Sequence, residues 1–350
     1  MRIASPPSKG RRTGRAPVTH VIILDGTLSS LEPLCQTNAA RAYTMLYEMG
    51  AAVSLYYEPG LQWDNWRSIR DVVTGKGINR LIRRAYGWLA TRYRPGDRIF
   101  LFGYSRGAYA VRSLAGVIDL VSLLRSEHAT ARNIRGAYRH YANSPQSETA
   151  QAFSRQHCHA KIEIDMIGVW DTVKSLGINA PILWRLFEHL HAFHNHELSS
   201  IVKHGFQALA HDEKRVAFSP VLWSCLDDYP GRLEQVWFPG AHGDVGGQLG
   251  GYEVARPLAN IPLVWMLRRA AEIGLPLPEA WEERHPRDAL VPARGTWRGH
   301  GKVLMTRKKR IVGADRSERL HHSIAARQAL KDKLTKSENA LFDVNASENS

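Results

Sequence analysis

A repeated alternation of strand-like and helix-like segments constrains this chain more than any other feature. "VTHVIILDGT", residues 18 to 27, is a β-branched apolar run closed by Asp-Gly, the pattern of a strand buried on both faces and followed by a tight loop. "TNAARAYTMLYEMG" follows, with Thr37 or Asn38 placed to cap a helix, apolar positions at helical spacing and Gly50 as a stop. "AAVSLYYEPG" reads as a second strand and "GINRLIRRAYGWLATRY" as a second amphipathic helix, closed by Pro95-Gly96. "RIFLFGYS" is a third strand, running into the helix "RGAYAVRSLAGVI". Parallel neighbours require crossover connections, so this series predicts an α/β domain: a mostly parallel central sheet with helices on both faces. Two later strands fit it, "KIEIDMIGVWD" ending at Asp171 and "LEQVWFPGAH" ending at His242.

Open α/β sheets gather their chemistry at the carboxyl ends of strands. Ser105, Asp171 and His242 each fall at such an end. Ser105 lies in "GYSRG", a G-x-S-x-G pattern that is weak alone and stronger between a legible strand and a legible helix. In a nucleophile elbow the serine sits on a strained turn, and Gly103 and Gly107 are placed to relieve the crowding. A serine hydroxyl needs a base, and the base needs an orienting carboxylate. Asp171 and His242 follow Ser105 in the chain order such hydrolases use.

Among the 16 histidines, His242 follows Pro239-Gly240 and precedes a glycine-rich loop, which suits a ring reaching over a sheet. Asp244 and Asp165 compete with Asp171 as the acid. Asp244 stands only two residues from His242 and reads as a loop-shaping residue, while Asp165 lies mid-strand, where alternation aims it elsewhere. One oxyanion donor is expected from the N–H of Arg106, and the second from "DGT", at Gly26 or Thr27, with Asp25 bracing that loop. The histidines at 189, 191, 194 and 196 and the "HCH" triplet at 157 to 159 match no recognised ligand spacing, so neither a metal nor another cofactor is expected.

Length and charge narrow the remaining classes. A chain of 350 residues with 44% hydrophobic content buries a substantial core. No run approaches the roughly 18 apolar residues of a spanning helix, and no apolar stretch backs the basic N-terminus, so neither a membrane helix nor a signal peptide is expected. Cys35, Cys158 and Cys225 are too scattered for a disulfide framework, which points to a reducing, cytoplasmic setting. The net charge of +14 is uneven: residues 1–20 carry +5, residues 301–350 carry +5, and the 280 between them only +4. That distribution argues against nucleic acid as a partner. The run Arg307 to Arg310 and the tail "SKGRRTGR" read as solvated chain or, more sharply, as a margin held against anionic membrane.

The resulting organisation is a basic tail at 1–16, one domain at 17–330 with helical insertions near 121–160 and 176–232, and a polar tail at 331–350. Insertions of that size beside a site can cap it.

"VIILDGT", "TNAARAY", "GDRIFLFGYSRGAYAVRSLAG", "GVWDTVKSLG", "ALAHDEKRVAFSPVLW" and "VWFPGAHGDVGG", in that order, resemble the α/β-hydrolase domain family that includes the catalytic domain of type VI secretion phospholipase effectors. The resemblance covers roughly 17 to 275 and, more faintly, "LHHSIAAR". It implies an α/β-hydrolase fold, a Ser105–Asp171–His242 triad and esterase or phospholipase chemistry on lipid acyl bonds, and it leaves type VI export open. Leu24 replaces the family's usual aromatic residue in the first motif, "LSS" follows Thr27, and the loop "GGQLGGY" is longer. Those departures bear on the substrate-facing rim more than on the triad. Rival expectations are a non-lipid esterase or thioesterase, and an inactive module that binds anionic membrane or nucleic acid through its basic tails.

Overall fold

Residues 19 to 24 alternate their side chains between two apolar layers, and the whole fold follows from that alternation. The computed structural model describes residues 15–60, 76–173, 197–297, 306–330 and 332–333. Strand β1 (Thr19–Leu24) sends Ile22 and Leu24 to one face and Val21 and Ile23 to the other, all fully buried. Each such side chain contributes about 1.5–3 kcal/mol by leaving water. β2 (Val53–Glu58) and β3 (Arg98–Tyr104) flank β1, both parallel to it. Beyond β3 come β4 (Met166–Trp170), β5 (His204–Ala210), β6 (Arg232–Phe238) and the short β7 (Glu318–Leu320), giving the order β2-β1-β3-β4-β5-β6-β7 with every pairing parallel.

Helices cover both faces. α1 (Asn38–Glu48) packs with Val21, Ile23, Phe100 and Phe102 on one side. α2 (Lys76–Ala90) and α3 (Arg106–Val121) pack with Ile22, Leu24, Ile99 and Leu101 on the other. α4 (Ala131–Asn143) and α5 (Glu148–His157) stand outside α3, and Thr130 and Ser147 cap them by accepting first-turn N–H bonds. A five-residue helix, α6 (His242–Gly246), follows β6, and α7 (Arg256–Glu272) lies on the α1 face. This is an α/β-hydrolase-like architecture.

Two differences from the sequence reading matter. The stretch 176–232 contains β5, a sheet strand, where a helical insertion was expected; residues 174–196 lie outside the described residues. "HGFQALA" hides its strand character because Gln207 sits at its centre, fully buried. Its amide donates to Val221 O at 3.0 Å and its Oε1 accepts from Thr172 Oγ1 and Arg112 Nη1. Arg15, assigned to the tail, instead grips the buried Asp97 at 2.6 Å and 3.0 Å.

Strand order reverses at β1, which has β2 on one side and β3 on the other. The crevice beyond the carboxyl ends of β1 and β3 is the switch point where doubly wound sheets bind ligands. Asp25–Thr27 and Ser105 open onto it.

Candidate active site

The chain leaves β3 through Ser105 at φ 56° and ψ −120°, a conformation few L-residues adopt, and enters α3 at once. Its neighbours make that turn possible. A Cβ on Gly103 would lie 2.7 Å from the Ala108 backbone, and one on Gly107 would lie 2.1 Å from Leu24 O. Asp171, after β4, also has positive φ, at 42°. His242 opens α6 immediately past Phe238–Ala241, with its ring nitrogens directed at Ser105 and Asp171.

These three strand ends converge. His242 Nε2 stands 2.9 Å from Ser105 Oγ, and His242 Nδ1 stands 2.6 Å from Asp171 Oδ2. All three residues are buried, Asp171 completely. The ring is held between Tyr104, stacked at 4.9 Å, and Phe218 at 4.7 Å. Behind it, Glu213 accepts from His242 N at 3.1 Å and pairs with Arg215 at 2.6 Å, whose guanidinium in turn lies over Phe218. Burial alone would raise the Asp171 carboxyl; the cation of Arg310 and the bond from His242 outweigh it and hold the group far below the usual carboxylate range.

Asp244 does not touch the His242 ring. Its carboxylate accepts from Ala241 N, Arg294 N and Gly295 N and ties α6 to the 294–295 loop. Asp165 lies at the opposite end of the sheet, accepting from Ile99 N at 3.0 Å and facing Arg98 and Lys203. The rivals for the acid are thus separated by geometry.

The loop after β1 is fixed by Asp25. Its buried carboxylate accepts from Gly26 N at 2.6 Å, from Thr37 Oγ1 at 2.6 Å and from Tyr57 Oη at 2.8 Å. Burial raises its pKa to about 6 against those hydrogen bonds. Thr37 also caps α1, so the loop and the helix are positioned together. The Gly26 N–H is therefore turned onto Asp25. Thr27 Oγ1 is buried without a hydrogen-bond partner among the described residues. Arg106 begins α3, where an N–H has no intrahelical acceptor. The glycine-rich loop closes over this corner: Gln248 donates to Thr27 O at 2.8 Å, and a Cβ on Gly246 would collide with the Tyr104 ring.

No local signal in "HDEKRVAF" points to Glu213, Arg215 or Phe218, and the run Arg307 to Arg310 reads from sequence as solvated chain or a membrane-facing margin. Lys308 and Lys309 are exposed, but the Arg310 side chain is 4% exposed and bound to Asp171. Its number gives no sign of this, since 139 positions separate the partners. The histidines at 189, 191, 194 and 196 lie outside the described residues. Among the described residues no group of three His, Cys, Asp or Glu side chains could hold a metal ion. A cavity of about 590 Å³ lies beside α3, lined by Tyr109, Arg112, Asp119, Leu120, Tyr141 and Trp223 among others; Ser105, His242 and Asp171 are not in its wall.

The family model described as "T6SS, Phospholipase effector Tle1-like, catalytic domain" matches residues 19–269. The chain belongs to this family. Another relative of the Tle1-like chain is the uncharacterised protein YEL023C of Saccharomyces cerevisiae, 27% identical over 240 residues, 60% of this chain and 33% of that protein. Among solved structures, the Tle1 effector bound to the VgrG spike of the type 6 secretion system shares 19% identity at a TM-score of 0.35, covering 67% of this chain and 52% of that one. An uncharacterised protein from Pseudomonas aeruginosa shares 15% identity at a TM-score of 0.42, covering 75% and 46%. This Tle1-like chain spans about a third of its curated relative and about half of each structural one. Family membership rests on the sequence match. No helix among the described residues is long and apolar enough to cross a membrane.

Proposed function

We propose that this chain is a serine hydrolase of lipid carboxylic esters, with phospholipid as the leading substrate class. The observation that carries the reading is the continuous hydrogen-bond path from Ser105 Oγ through the His242 ring to Asp171 Oδ2, at 2.9 Å and 2.6 Å. Membership of a phospholipase effector family supports a lipid acyl bond as the target.

In this mechanism Ser105 Oγ attacks the acyl carbon while His242 Nε2 takes its proton, and Asp171 holds the imidazole by Nδ1. The oxyanion accepts from the Arg106 N–H and from Thr27, the Gly26 N–H being occupied by Asp25. His242 returns the proton to the leaving alcohol, and water then releases the acyl group by the same steps in reverse roles. The exposed basic residues Lys308 and Lys309 and the basic N-terminal segment favour an anionic lipid surface.

The test compares wild type with Ser105→Ala on a short p-nitrophenyl ester and on anionic phospholipid vesicles, reading fatty-acid release. Wild type releases fatty acid and the variant falls by at least about a thousandfold. Equal release by both proteins refutes the mechanism. Turnover of the soluble ester with inert vesicles retains the serine chemistry and removes lipid as substrate.

A further inference from the structure

The carboxylate of Asp171 accepts from four donors. Ala210 N reaches Oδ1 at 3.0 Å, Arg310 Nη1 reaches Oδ1 at 2.6 Å, Arg310 Nη2 reaches Oδ2 at 2.9 Å, and His242 Nδ1 meets Oδ2 at 2.6 Å. Arg310 is itself anchored, donating to Ala210 O at 2.9 Å and to Phe218 O at 2.5 Å. The segment that bears it is laced to the loop after β5. Val216 N donates to Thr306 O, Lys308 N donates to Lys214 O, and Arg307 donates to Thr296 Oγ1 while lying over Trp297. That same loop supplies Glu213 and Phe218 to the back of the His242 ring.

We infer that Arg310 is a positioning residue for the catalytic pair: its guanidinium fork holds the Asp171 carboxylate ionised and in the one orientation that aims Oδ2 at His242. The inference rests on the serine-hydrolase reading above.

Two physical requirements lead there. A carboxylate with no solvent exposure is unstable beside a neutral imidazole unless something compensates its charge, and a triad base is neutral in its resting state. The guanidinium supplies that compensation without displacing Nδ1, because it takes Oδ1 with one nitrogen and shares Oδ2 with the ring through the other. Its two donors sit in a fixed plane, so it sets orientation as well as charge; a lysine would supply charge through a single point. The groups facing Asp171 are Arg310 from the segment 306–310, His242 from α6 and Tyr104 from β3, with the Glu213–Arg215 pair beyond the ring. Burial and the Asp171 charge hold the Tyr104 phenol far above its usual value, and Glu213, despite its burial, is held low by Arg215. Between pH 5 and 9 Tyr104 therefore stays protonated and Glu213 ionised, so neither adds a change of charge beside the His242–Asp171 unit. Taking away an adjacent cation favours protonation of that unit, so the acid limb of activity moves up in pH.

The experiment follows the rate at which a fluorophosphonate labels Ser105 in the full chain, for wild type, Arg310→Lys and Arg310→Gln, across pH 5 to 9, with circular dichroism to verify folding. Arg310→Lys is expected to keep the wild-type acid limb and to label about tenfold more slowly at pH 8. Arg310→Gln is expected to move the acid limb up by about one pH unit, a further tenfold loss on the acid side. A folded Arg310→Gln with an unmoved limb overturns the inference, as does Arg310→Lys labelling at the wild-type rate. If Arg310→Gln does not fold, the rate of Arg310→Lys decides by itself. Wild type that fails to label at any pH refutes the hydrolase reading and the inference with it, whereas labelled wild type with indifferent variants refutes the inference alone.

Discussion

The nucleophile turn is a residue-scale bargain between strain and space. A non-glycine residue at φ 56° and ψ −120° costs on the order of 1–3 kcal/mol, so the surroundings must impose it. They do so by close backbone approach at Gly103 and Gly107. Gly107→Ala would drive a Cβ to 2.1 Å from Leu24 O, with backbone on both sides unable to yield. We expect it to lose more than about 2 kcal/mol in urea unfolding. Gly136→Ala in α4 is the control, since its Cβ would meet Phe153 at 3.4 Å; it should be neutral or gain about 0.5–1 kcal/mol from helix propensity. Similar losses at both positions would refute the account of the turn.

Asp25 gives a second residue-scale prediction, through pH. Its folded pKa of about 6 exceeds the unfolded 3.8, so the folded chain binds the extra proton between those values. Its contribution is fully present below about 3.8 and is lost as pH rises through about 6. The stability of wild type relative to Asp25→Asn should therefore fall by about 2 kcal/mol between pH 4 and pH 7. Parallel stability curves for the two proteins would show that burial does not govern this carboxyl.

At the scale of elements, legibility followed burial chemistry. β1 and β3 were readable because both their faces are apolar, so the strand appears as an unbroken run. β5 was not, because its central Gln207 has a polar side chain whose partners come from 14 and 35 positions away and from α3. The site divides in the same way. Ser105, Asp171 and His242, which the fold brings together, could be grouped as candidates because each follows a legible strand closely. Glu213, Phe218 and Arg310 reach this group through long-range contacts that no local pattern encodes, and a lysine–arginine run resembles solvated chain whether or not one member turns inward. Gln207→Leu tests the account of β5. Removing the amide strips partners from Val221 O, Thr172 Oγ1 and Arg112, a guanidinium that burial has already lowered to about 9. The expected loss is about 2–3 kcal/mol by urea unfolding, although leucine suits a strand interior. A neutral result would mean that apolar packing alone holds β5.

At the scale of the whole molecule, most of the excess charge is arranged apart from the proposed chemistry, Arg310 being the cation of the C-terminal end that reaches it. The excess of +14 resides mainly in the two ends of the sequence, while Ser105, Asp171 and His242 of the proposed triad lie in the nearly balanced middle. Arg15 marks the boundary, because its grip on Asp97 belongs to the folded domain. Deleting residues 1–14 removes Arg2, Lys9, Arg11 and Arg12 and leaves that pair intact. Each cation near an anionic bilayer is worth about 1 kcal/mol, so affinity for phosphatidylserine-containing vesicles should fall at least tenfold. Added salt should erase the difference between the two proteins, since screening weakens the attraction at its source. Turnover of a soluble p-nitrophenyl ester should not change, because none of the deleted residues belongs to the proposed site. Vesicle affinity that survives the deletion would place membrane attraction elsewhere on the protein. Loss of soluble-ester turnover would instead show that the segment supports the site itself, and the separation of charge from chemistry would fail.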